Sequence, residues 1–183
     1  MRGVAHNNCN LNYRINPKKW KLPVVMHGLK NYDSHLLINA LQRKDGRIRL
    51  IAHNMEKYLS FTINKLKFID SFQFAGKSLE CLANTLKDEE MRHTSAYFKN
   101  LNLFKLIRGK GVFFYDYLDK IERFDETKLP HPKHFHNLLN NTKCDPIDYR
   151  RAQMIWECGN CHNFGDYHDI YLKADVLILA DFF

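Results

Sequence analysis

Two acidic motifs lie far apart in this chain of 183 residues: His27-Gly28-Leu29-Lys30-Asn31-Tyr32-Asp33-Ser34-His35 near the start, and Tyr167-His168-Asp169-Ile170-Tyr171-Leu172-Lys173-Ala174-Asp175 near the end. Each sets an aspartate beside aromatic residues at a strand-to-helix transition or on a helix. Two carboxylates, Asp33 and Asp175, brought together beside a tyrosine would suit metal-assisted hydrolysis of a phosphodiester, because Mg²⁺ takes hard oxygen ligands and needs few of them from a protein. The residues alone leave a second reading open, with Asp33 as a helix N-cap and Asp175 on a solvated helix face.

The elements that must position these residues are legible in part. The run 22–27 is apolar and bounded by proline and glycine, which suits a buried strand. Asp33-Ser34 supplies an N-cap for a helix over 36–41. Residues 48–52 read as a second strand, and 58–63 and 66–69 read as a hairpin about Asn64-Lys65. Residues 78–86 have a capped-helix pattern with Leu79, Leu82 and Leu86 on one side. The stretch 87–106 is polar with weak periodicity. Pro130, Pro132 and Pro146 punctuate helices expected over 133–139 and 147–158. From Tyr167 onward, Ile170, Tyr171, Ala174, Leu177, Ile178 and Asp181 recur at three-to-four spacing, so one long helix is expected, with Tyr171 and Asp175 sharing a face. Strands first and helices mainly afterwards give an α/β or α+β class.

Bulk properties narrow the partners. Lys and Arg outnumber Asp and Glu by 28 to 20, a net charge of +8 spread through the chain, which favours a polyanion without specifying one. The length suits one core-bearing domain. There is no apolar run of about 18 residues and no signal-peptide core, so no membrane association and an intracellular setting are expected. Five cysteines at irregular spacing fit free thiols better than a disulfide framework.

Both acidic motifs closely resemble the second and third exonuclease motifs of family B DNA polymerases. Tyr32-Asp33 matches the end of the second motif, and Tyr171-Leu172-Lys173-Ala174-Asp175 matches the Tyr, three residues, Asp of the third. The words between them, Phe68-Ile69-Asp70-Ser71-Phe72-Gln73-Phe74, Glu122-Arg123-Phe124-Asp125-Glu126-Thr127 and Gly165-Asp166-Tyr167-His168-Asp169, stand in the order seen in the protein-primed polymerases of self-synthesising DNA transposons and related viruses. The resemblance spans nearly the whole chain. It implies a ribonuclease-H-like 3′–5′ exonuclease domain with a mixed sheet, flanking helices and a long C-terminal helix. It also implies Mg²⁺ held by Asp33 and Asp175, and water oriented by Tyr171.

Further roles follow from the same likeness. Asn31 and Tyr32, in the second motif, fall among the DNA and terminal-protein contacts. Ser71-Phe72 resembles a motif with which protein-primed enzymes grip single-stranded DNA or the terminal protein; a strand-end turn with a core phenylalanine is the competing reading. Lys110, between Gly109 and Gly111, matches a basic residue placed beside the primer terminus, although an ordinary turn explains the glycines equally well. The opening residues resemble half of the zinc knuckle of endonuclease VII-like nucleases, with His6 and Cys9 as two of four Zn²⁺ ligands. Cys158-Gly159-Asn160-Cys161-His162 spells a haem-attachment signature, but a loop with free thiols is favoured, with zinc at Cys158 and Cys161, joined by His162 or Cys144, as the alternative.

Two departures stand out. No acidic residue precedes Asp33, so the first exonuclease motif, which would supply the other carboxylates, is missing. Gly28 replaces the asparagine that opens the second motif, and Asn31 stands where relatives have glycine. The chain is therefore expected to be a fragment of a protein-primed DNA polymerase, inactive in isolation: 1–16 a remnant of the zinc-knuckle insertion, 17–183 the exonuclease-like domain, with the palm absent. DNA, dNTPs and a terminal protein are the parent enzyme's implied partners, in a nuclear or virus-associated setting. The rival expectations are a stand-alone zinc-knuckle nuclease or nucleic-acid-binding module, and a decayed transposon remnant.

Overall fold

β-branched and aromatic residues on either side of Asn64-Lys65 close a hairpin of β3 (Tyr58–Ile63) and β4 (Leu66–Asp70), with Asn64 in the left-handed conformation that asparagine tolerates, at φ 54°. In this computed structural model, residues 20–30, 33–42, 48–54, 58–109, 111–134 and 145–183 are described. The chain divides into two units, Met1–Gly76 and Lys77–Phe183.

In the first unit, β1 (Leu22–Met26) runs parallel to β4, while β2 (Ile48–Ala52) and β4 both run antiparallel to β3, giving the order β1-β4-β3-β2. The class is α/β, a mixed four-stranded sheet with helices, as the sequence led us to expect. Phe61 and Phe68 face each other across the hairpin and stack at 4.5 Å, and with Leu29, Ile38 and Ile63 they form the core of this unit. Ile38 belongs to α1 (Asp33–Gln42). Asp33 is the first residue of that helix, one step inside the cap position expected for it. β1 departs from the buried strand that its composition suggested: it lies at a sheet edge, and Leu22 and Pro23 are exposed. The proline is tolerated there because an edge strand can leave one side of its ladder unpaired.

A single helical turn, α2 (Phe72–Ala75), follows β4. The second unit holds α3 (Leu79–Ala83), α4 (Arg92–Tyr97), α5 (Leu101–Ile107), α6 (Pro146–Cys158) and α7 (Phe164–Phe182). α3 is shorter than the 78–86 pattern, but its cap is the expected one, with Ser78 Oγ accepting from Cys81 N–H. The weakly periodic stretch 87–106 resolves into two short helices. Of the helix expected over 133–139, the described part is a 3₁₀ turn, Pro132–His134, and the rest lies outside the described residues. α7 is the long closing helix, starting three residues before Tyr167 because Asn163 caps it through Asp166 N–H. α3 and α4 pack on α7, and α5 on α6. Phe114, Ala152, Phe164, Tyr167 and Ala174 anchor the main core of this unit.

Candidate functional site

α7 buries Phe164, Tyr167, Ala174 and Ile178 along one stripe, which leaves Tyr171 and Asp175 half-buried at its margin, four residues apart. The strap 111–115 runs against that margin. It is fixed by the fully buried Tyr167, whose hydroxyl donates to Val112 O at 2.6 Å. Phe113 then stacks on the Tyr171 ring at 4.7 Å, and Tyr115 meets the same ring edge-on at 6.3 Å. Gly111 lies so close to that ring that a Cβ on it would stand 2.3 Å from Tyr171 Cε2. The absent side chain is a condition of the tyrosine's position.

Tyr171 Oη hydrogen-bonds to Tyr115 Oη at 2.5 Å, and the Asp175 carboxyl lies near enough for its charge to act on the Tyr171 hydroxyl. Either hydroxyl of the Tyr115–Tyr171 pair can donate to the other. Burial pushes the Asp175 carboxyl above the usual carboxylate range, partly opposed by the nearby Tyr171 hydroxyl. Burial, then the Tyr115 bond, then the Asp175 charge hold the Tyr171 hydroxyl well above an ordinary phenol. Tyr171 therefore stays protonated. Among the described residues no ion pair reaches Asp175. Beside the pair lies a cavity of about 10 Å³, lined by Ile107, Gly111, Ile155 and Ala174 as well as Tyr171 and Asp175, with room for about one water.

In the first unit Asp33 is exposed in the opening turn of α1. The turn before that helix is organised by the end of β4. Asp70, 3% exposed, accepts three backbone N–H bonds of 2.9 Å, from Gly28 and Phe72 on Oδ1 and from Lys30 on Oδ2. Ser71 is wholly buried; its hydroxyl donates to Met26 O at 3.0 Å and so accepts from His27 Nδ1 at 2.9 Å. That hydroxyl is thus spent within the fold, as the strand-end-turn reading of Ser71-Phe72 requires. Phe72 is not the core residue of that reading, for the residue is 46% exposed and its ring lies edge-on to His27 at 5.4 Å. Gly28 has φ 87°, a conformation that favours glycine and accounts physically for the residue found where the resemblance implies asparagine.

The expected metal ligands supply hard oxygen of the kind Mg²⁺ takes, one carboxylate in each unit. Among the described residues no group of three or more His, Cys, Asp or Glu side chains stands close enough to hold an ion. Taken unit by unit, the described carboxylates supply too few ligands for such a centre. Asn31, Tyr32, Lys110, His6, Cys9 and Cys144 lie outside the described residues.

The remaining words of the resemblance have structural work. Arg123 bridges to Asp119 at 2.9 Å and to Glu126 at 3.1 Å, and its guanidinium sits 4.0 Å over the Tyr117 ring, knotting the 3₁₀ turn Ile121–Asp125. Cys158 and Cys161 are free thiols flanking the tight turn between α6 and α7, where burial pushes Cys161 up to about 11. Sequence reasoning missed Asp70, Gly111 and Tyr115. Asp70 acts on backbone amides, which leave no side-chain pattern to find, whereas the aromatic run 113–117 was a visible signal for Tyr115.

No family model matches the chain, and no curated protein and no solved structure matches it significantly.

Proposed function

We propose that this chain is the 3′–5′ exonuclease region of a protein-primed family B DNA polymerase, with a ribonuclease-H-like fold, and that it engages the single-stranded primer end. The observation that carries the reading is the Tyr171–Asp175 pair: a half-buried carboxylate, in no ion pair among the described residues, four residues from a tyrosine whose hydroxyl is bonded to Tyr115. A water-orienting tyrosine beside a metal-ligating carboxylate needs such fixed geometry. The placement of Asp33 at the start of a helix that follows a strand end supports it further, as does the net charge of +8. The exposed rings of Phe72 and Phe74 offer stacking surface for unpaired bases. Terminal protein and dNTPs belong to the parent enzyme's reaction.

Fluorescence anisotropy with a fluorescein-labelled oligothymidylate tests the reading. The chain is expected to bind the single strand in preference to a duplex of equal length, with affinity falling as salt is raised. Equal affinity for the two, or none at low salt, would remove the primer-end function. Hydrolysis of the oligonucleotide by the chain alone is not expected.

A further inference from the structure

Asp70 has no role in the reading above, yet it is the most heavily committed carboxylate described in the first unit. Its two oxygens take the amides of Gly28, Lys30 and Phe72, so one side chain at the end of β4 holds the turn that leaves β1 on a parallel neighbouring strand. Between the two held amides lies Leu29, wholly buried, whose carbonyl accepts from Ser34 N–H at 3.2 Å. Ser34 follows Asp33 in the opening turn of α1. The path from Asp70 to Asp33 therefore runs through the amides of Gly28 and Lys30, the Leu29 carbonyl and the Ser34 N–H. Gly28 at φ 87° directs its N–H into this arrangement, and the Ser71 backbone N–H adds a bond of 2.8 Å to Met26 O on the same strand end.

We infer that Asp70 is a positioning residue: it sets the β1–α1 turn and, through Leu29, the start of the helix that presents Asp33. This deepens the nucleic-acid reading and rests on it for its functional consequence. It assigns the Asp70-Ser71 step to holding the second motif in place, a role separate from any contact its exposed neighbours make with a strand.

The test uses Asp70→Asn and Asp70→Ala in the whole chain, read by amide hydrogen exchange and by oligothymidylate binding. An amide side chain offers oxygen at only one of the two carboxylate positions. Asp70→Asn is expected to keep protection at Gly28 and Phe72 and to lose about tenfold at Lys30, with Ser34 loosening in step. Asp70→Ala should release all three amides. Unchanged protection in the β3–β4 ladder would certify that the sheet is still folded. Single-strand affinity should fall several-fold in Asp70→Asn. Lys30 or Ser34 as protected in Asp70→Asn as in the parent chain would overturn the inference, as would loosened amides with full oligothymidylate affinity. If the parent chain binds no oligothymidylate, the primer-end function falls instead, and the Lys30 and Ser34 amides alone decide whether Asp70 sets the turn.

Discussion

Two single residues around Tyr171 carry predictions of opposite sign. Gly111→Ala drives a methyl into the Tyr171 ring, which is packed against Phe113 and cannot swing freely. Overpacking of this kind costs about 1–3 kcal/mol, and urea denaturation of the variant should show the loss. Asp175→Asn should do the reverse. The folded Asp175 carboxyl takes up its proton more readily than an exposed one, so the stability associated with it is fully present below the ordinary carboxylate range and is lost as pH rises through the folded pKa. Asparagine keeps the size and polarity of the side chain without the buried charge. The variant is expected to melt above the parent at neutral pH, with the gap closing in acid, and paired thermal melts at the two pH values measure it.

Among the elements, those with local signals were legible. The hairpin announced itself through β-formers around Asn64-Lys65, α6 through Pro146, and α7 through apolar residues at helical spacing. α4 was not legible, and the reason is physical. It spans six residues, has no capping side chain of its own, and begins where Asp181 on α7 accepts from His93 N–H, Thr94 N–H and Thr94 Oγ1. A helix that short is held by its tertiary partner and not by propensity, so its pattern is weak by construction. Asp181→Ala should therefore cost about 1–2 kcal/mol and expose the α4 amides first, which hydrogen exchange would resolve. β1 was legible as a strand but not as an edge, because sheet order depends on which strand arrives beside it. The candidate site divides the same way. Tyr171 and Asp175 sharing a face followed from spacing alone, whereas the hydrogen-bond partner of Tyr171 and the clearance at Gly111 came from the strap 111–115, whose packing no periodicity records.

For the whole molecule, the two units carry separate cores, one built on Leu29, Ile38, Phe61, Ile63 and Phe68, the other around Phe114, Phe164 and Tyr167. Residues 77–183 produced alone are expected to unfold cooperatively, checked by circular dichroism against the whole chain; a broad, non-cooperative melt would deny that unit an independent core. The parallel pairing of β1 with β4 has a further consequence, in time. Ile63 meets Leu66 across a two-residue turn, but Leu22 meets Leu66 only after α1 and two strands between them have found their places. Loop closure of that length makes the parallel pair the slow step of the unit. Pulse-labelled refolding should protect the β3–β4 amides before those of Gly28 and Lys30, so the turn that presents Asp33 is the last part of its unit to be born and, in a nascent chain, waits on β4 for its shape.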